Sequence, residues 1–153
     1  MTINQQLEAL RAGLADYAQS SGAELAVAAD RGDFLRRIEN NPTGMSIVLM
    51  FTGERCDAAD REALVVWRTF AAVLARPHGW TVTRADNLTA ERPDAAPFYN
   101  VLEDVRNGLL NVVMEVEYPI FATRYTGSTL LDTGAAPMDA WEIGVECGAR
   151  LTE

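Results

Sequence analysis

Apolar residues return every three or four positions near the start of the chain. Ile3, Leu7, Leu10, Leu14 and Tyr17 form one stripe and predict a helix over residues 3–19. Thr2 and Gln5 have the spacing of a capping box, and Ser20-Ser21-Gly22 stops the helix. A helix with a single apolar face has to lay it on a core or on a neighbour. Residues 24–29, ELAVAA, read as a short edge strand. Residues 33–39 read as a helical turn capped by Asp33, with Phe34, Leu35 and Ile38 inward. Asn40-Asn41-Pro42-Thr43-Gly44 is a breaker. Residues 45–52, MSIVLMFT, are almost continuously apolar, as in a strand buried on both faces.

Residues 58–75 fit two templates. Asp57 would cap a helix from Ala58 with Leu64, Trp67, Ala71 and Leu74 on one face. Yet VVWRTFAAVL is rich in β-branched and aromatic residues, which favours a strand over about 64–75 after a helical or turn-like start. Residues 76–96 carry Pro77, Gly79, Asp86, Asn87, Pro93 and Asp94 and read as one long loop, a feature often tied to function. Residues 97–110 predict a second main helix. Pro97 suits its first turn, Phe98, Val101, Leu102, Val105 and Leu109 share one face, and Glu103, Asp104 and Arg106 face out. Strand-like sequence returns over 112–126, in one or two pieces around Pro119, and 127–139 read as a hairpin connection. In WEIGVECGAR, Trp141, Ile143, Val145, Cys147 and Ala149 alternate with Glu142, Gly144, Glu146, Gly148 and Arg150. That is period two with one apolar face, and Glu142 and Glu146 share the other. A half-exposed antiparallel strand accounts for it; the alternative is an acidic surface inside an oligomer.

Composition narrows the function more than the fold. A chain of 153 residues, 48% of them hydrophobic, suits one mixed α/β domain over 1–153 that folds without a metal or disulfide staple. The net charge is −9 and the pI about 4.6. Residues 1–60 hold nine acids and five arginines, and residues 111–153 seven acids and two arginines. The absence of a basic stripe argues against a nucleic-acid module and against docking on an anionic membrane. An acidic surface would let DNA pass without sticking, although plain solubility is the simpler account. All thirteen basic residues are arginines, which a GC-rich genome explains and which also suit interface ion pairs.

Candidate chemistry is sparse. Cys56 and Cys147 lie far apart and read as free thiols in a reducing compartment. The N-terminus lacks a signal-peptide pattern and no apolar run approaches the ~20 residues of a membrane span, so a cytoplasmic protein is expected. His78 is the only histidine, sits in a Pro-His-Gly turn and is joined by no nucleophile motif. Cys56 follows Arg55 but has no recognisable base or resolving cysteine. Glu54, Asp57 and Asp60 do not follow the calcium-loop spacing, and Asp57 and Asp60 suit a helix start. A phosphate loop is ruled out because the chain has no lysine. Arg31-Gly32-Asp33 spells an adhesion tripeptide but reads as a turn before a helix. The expectation is a binding protein rather than an enzyme, with no metal and no cofactor.

The second main helix, Pro97-Phe98-Tyr99-Asn100-Val101-Leu102 followed by Glu103-Asp104-Val105-Arg106-Asn107-Gly108-Leu109, resembles the aromatic-plus-leucine helix of phage tail terminators and related minor tail (tail completion) proteins, with its "Tyr-x-x-Leu…Val…Leu" pattern. VVWRTFAAVLARPHG is similar to their strand before a variable loop, and the leading amphipathic helix and chain length also fit; ELAVAA and RGDFLRRI are less typical. The resemblance implies an α+β fold, an antiparallel (mixed) sheet flanked by two main helices. It implies a homo-oligomeric ring, commonly a hexamer, assembled in the host cytoplasm and resident in the tail or neck of the virion. Such a ring caps the tail tube protein, stops its polymerisation and presents a surface to the head–tail connector protein, while DNA passes without specific binding and no membrane is involved. In that setting Arg84, Asp86, Glu91, Arg92 and Asp94 of the long loop and Asp132 of the hairpin are candidates for subunit contacts, and Glu142 and Glu146 for an acidic lumen-facing strand. The alternative is another small acidic protein-binding module, such as a neck or connector protein, or an immunity or chaperone-like protein.

Overall fold

The structure is a computed structural model that describes residues 1–39, 41, 44–56, 65–78, 82–93, 95–114, 121–131 and 138–150. Helix α1 (Ile3–Ser21) opens the chain. Its capping box forms as the sequence predicts: Gln5 N donates to Thr2 Oγ1 at 3.1 Å, and Thr2 N donates to Gln5 Oε1 at 2.7 Å. The helix runs two residues past its expected end, to the left-handed Gly22 at φ 72°, whose N–H bonds Ala18 O. Strand β1 (Glu24–Val27) and helix α2 (Arg31–Glu39) follow. Asp30, not Asp33, caps α2: Asp33 N donates to Asp30 Oδ1 at 2.8 Å. Asp33 instead reaches back from the first turn to accept from Ala29 N at 3.0 Å.

Strands β2 (Ser46–Arg55) and β3 (Val65–Pro77), helices α3 (Arg84–Thr89) and α4 (Phe98–Leu110), and strands β4 (Val113–Met114), β5 (Phe121–Ala122), β6 (Arg124–Leu131) and β7 (Met138–Arg150) complete the described elements. The main sheet has the order β1-β2-β3-β7-β6, with β1 parallel to β2 and the other pairs antiparallel. β4 and β5 pair separately. The fold is α+β with a mixed sheet and two main helices, α1 and α4, on one face.

Side-chain parity decides which helix covers which face. Ile47 and Leu49, Phe70, Ala72 and Leu74, and Ile143, Val145 and Cys147 point to one side, where Leu10 and Leu14 of α1 and Phe98, Val101, Val105 and Leu109 of α4 close over them. Val48, Met50, Ala71, Val73, Ala75 and Ala140 point to the other, under Phe34 and Ile38 of α2. β2 and β3 are therefore buried on both faces, as the run MSIVLMFT predicts for β2 and the β-branched content predicts for 64–75.

Four expectations need correction. Leu35 is not inward: it is 56% exposed, because the nine-residue α2 lays only Phe34 and Ile38 on a flat sheet. The loop expected over 76–96 contains α3, and Arg76 and Pro77 belong to β3. The hairpin connection expected over 127–139 is strand up to Leu131 and again from Met138. β7 is not half-exposed but interior, paired on both sides, with Glu146 only 8% exposed. The alternative helix from Ala58 to Leu74 is overturned from Val65 on, where the chain is strand; residues 58–64, Pro119 and the tip 132–137 lie outside the described residues.

α1 and α4 cross closely at two glycines. A Cβ on Gly108 would sit 3.0 Å from Leu14 Cδ2, and one on Gly13 would sit 2.3 Å from Val112 Cγ2. Gly108→Val is expected to destabilise the fold by about 1–3 kcal/mol despite glycine's poor helix propensity, because the branched side chain displaces the fully buried Leu14. Urea unfolding of the two proteins side by side measures it.

Candidate functional site

The long connection after β3 is held by a polar staple. Thr83 caps α3 by accepting from Asp86 N at 3.1 Å. The helix then places Asn87, fully buried, against Asp139 at the start of β7, where Asn87 Nδ2 donates to Asp139 Oδ2 at 2.7 Å. Arg84 Nε donates to the other oxygen of Asp139. Arg76 grips the same residues from β3: Nε to Asn87 Oδ1 at 3.1 Å, Nη2 to Asn87 O at 2.6 Å and Nη1 to Ala96 O at 2.6 Å. Its guanidinium lies 5.1 Å from the Phe98 ring centroid. Arg92 Nη2 adds a bond to Asn87 Oδ1 at 3.1 Å. A fully buried carboxylate is tolerable only with such partners.

This placement divides the loop candidates. Arg84 and Arg92 bond within the chain. Asp86 and Glu91 are exposed and form no ion pair among the described residues. Asp94 and Asp132 lie outside the described residues. The staple itself was missed, yet a signal existed. Asp139 shares odd parity with Trp141, Ile143 and Val145, which places it on the inward face of the same strand.

Glu142 and Glu146 do share the β7 face away from α1 and α4, but neither stands bare. Glu146 accepts from Arg55 Nη2 at 3.1 Å and lies 3.9 Å from Arg124 Nη1, while the Arg124 guanidinium sits 3.7 Å over the Trp67 ring. Glu142 lies 3.7 Å from Arg31 Nη2. Between these pairs a polar trough of about 360 Å³ is floored by Thr52, Thr69, Thr126, Gly127 and Gly144. Beside it, between α2 and β7, lies an apolar groove of about 280 Å³ lined by Phe34, Leu35, Ile38, Met50, Met138 and Ala140, with Glu39 and Glu142 also at its edge.

The opposite face carries an apolar patch where α4 meets β7 and β6. Tyr99 packs edge-on to Trp141, with centroids 6.0 Å apart; Leu130 is the cross-strand neighbour of Trp141; and Arg106 lies 5.8 Å from the Tyr125 ring. Tyr99, Tyr125 and Leu130 are 40%, 42% and 46% exposed, a concentration of large apolar groups that ordinary surfaces avoid. Among the described residues β6 is also the outer strand of the sheet, with no strand paired along its far edge.

Reactive groups offer less. Cys147 is fully buried, and burial pushes its thiol up to about 11. Cys56 donates to Val65 O at 3.4 Å, and His78 follows β3. Of the acidic trio, Glu54 pairs with Arg68 at 3.4 Å, whereas Asp57 and Asp60 lie outside the described residues. Among the described residues, no three His, Cys, Asp or Glu side chains gather as metal ligands would, and no helix is long and apolar enough to cross a membrane. No protein-family model matches the sequence, and no curated protein matches it.

Two measurements test these environments. Asp139→Ala is expected to cost about 2–3 kcal/mol in urea unfolding, short of a fully enclosed pair because the Arg84 side chain is 52% exposed and can turn to water. Asp139→Asn, which keeps an acceptor, should cost less. The raised Cys147 thiol gives a pH signature of definite sign. The unfolded chain releases this proton near 9.0 and the folded chain near 11, so the stability it contributes is complete below about pH 9 and is lost as pH rises toward 11. At pH 8 a thiol reagent should leave Cys147 unlabelled in the native protein and label it in denaturant.

Proposed function

We propose that the chain is a structural protein of a phage or prophage tail, similar to tail terminators, that assembles into a ring, caps the tail tube and presents a joining surface to the head-side connector. The observation that carries this reading is the β6 edge, unpaired among the described residues and flanked by Tyr99, Tyr125, Leu130 and Trp141, a surface suited to a protein neighbour. The resemblance of the second main helix to that of tail terminators supplies the identity of the assembly. The mechanism is steric. A closed ring bound to the last tube ring leaves no site for the next tube subunit, and its far side offers new chemistry to the connector.

The acidic balance is consistent with a channel through which DNA slides without adhering. Native mass spectrometry and negative-stain microscopy at rising concentration, with and without purified tail tubes, should show a closed ring of about six copies that binds tube ends. A protein that stays monomeric throughout and ignores the tubes would refute the assignment.

A further inference from the structure

We infer that the ring is closed by one repeated head-to-tail contact, in which the β6-edge patch of each copy seats in the groove beside α2 of the next. This rests on the ring-forming reading above and specifies which surfaces meet.

Among the described residues four large apolar side chains are exposed: Leu35, Tyr99, Tyr125 and Leu130. Three of them build the patch on the α4 side of β6 and β7, and the fourth, Leu35, flanks the groove on the α2 side. The two surfaces therefore lie on opposite faces of one sheet, and no chain can cover its own groove with its own patch. A two-fold pairing of patch on patch would leave the groove open, whereas head-to-tail pairing covers both surfaces in every copy. The patch presents side chains on a strand edge, and the groove is a hollow of about 280 Å³ that can receive one.

Charge points the same way. Arg106, beside Tyr125 in the patch, has only the neutral Asn107 Oδ1 as a side-chain acceptor, at 3.4 Å, and no carboxylate partner among the described residues. Glu39, at the groove edge, is exposed and has no cationic partner among the described residues. An unmatched cation on one surface and an unmatched carboxylate on the other fix the orientation of the contact.

The test uses two substitutions at exposed positions, Leu130→Asp in the patch and Leu35→Asp beside the groove, each checked by circular dichroism for an intact fold. Sedimentation velocity should show that either substitution abolishes the wild-type ring. Mixed one to one, the two variants should form a heterodimer and stop there. The intact groove of the Leu130→Asp copy accepts the intact patch of the Leu35→Asp copy, and both outer surfaces are dead. Separately, Glu39→Arg or Arg106→Glu should weaken assembly roughly tenfold, with the double variant restoring it. A ring that survives Leu35→Asp, or a mixture that stays monomeric, overturns the contact while leaving the ring itself standing. A wild-type protein that never assembles overturns the ring-forming reading instead.

Discussion

β3 and β7 pair over thirteen residues, from Val65 opposite Arg150 to Pro77 opposite Met138, and that ladder constrains everything around it. Both strands carry apolar side chains on the α1/α4 side, while on the other β3 carries Ala71, Val73 and Ala75 and β7 carries Ala140 before Glu142 and Glu146, so the first face must be covered along its length and the second at its apolar end. The first demand is met by α1 and α4, which approach each other closely through Gly13 and Gly108. Among the described residues, the helix that meets the second is α2. Nine residues of helix cover Ala71, Val73, Ala75 and Ala140 but reach no further along the strands. The groove and the polar trough beyond it are the uncovered remainder of that face.

What could be read from the sequence follows the same division. Elements whose burial shows as a long period were legible: α1 with its capping box, α4 with its five apolar positions, the two-sided β2, and the alternation of β7. Elements stabilised by specific polar contacts were not. α3 is only six residues long, too short to show a helical period, and is fixed by Thr83, Asn87 and Asp139 rather than by an apolar stripe. β6 has Gly127 and Ser128 in mid-strand, so its part from Gly127 onward read as a connection. Leu35 lies within the apolar arc of α2, but a short helix on a flat sheet brings only part of that arc into contact.

The candidate site was legible mainly as a pattern of charge, and that pattern changed meaning once partners were known. Asp139 is bound to Arg84, Glu146 to Arg55, and Glu54 to Arg68, so much of the charge counted along the chain is spent on internal matching. Gln6 shows the same economy without charge. Although buried on the core side of α1, it donates to Gly148 O at 3.0 Å and accepts from Arg68 Nη1 at 3.0 Å, fastening the helix to β7 and β3. The apolar period of α1 contains no hint of this contact, because the partner lies 142 positions away.

Matching leaves the two ends of the sheet chemically unlike. At the end where β3 stops and β7 starts, α3 and the segment after it present Asp86 and Glu91 to solvent. At the other end Arg55 and Arg124 gather around Glu146, with side chains 44% and 57% exposed, and Arg150 is exposed nearby on β7. Among the described residues, one end thus exposes Asp86 and Glu91 beside Arg84, and the other exposes Arg55, Arg124 and Arg150 beside Glu54. In the proposed head-to-tail ring one rotation relates every copy to the next, so a weak difference between the two ends of one chain would be repeated once per copy. Such repetition is what the proposed reading asks of a cap, one side for the tube and an unlike side for the connector.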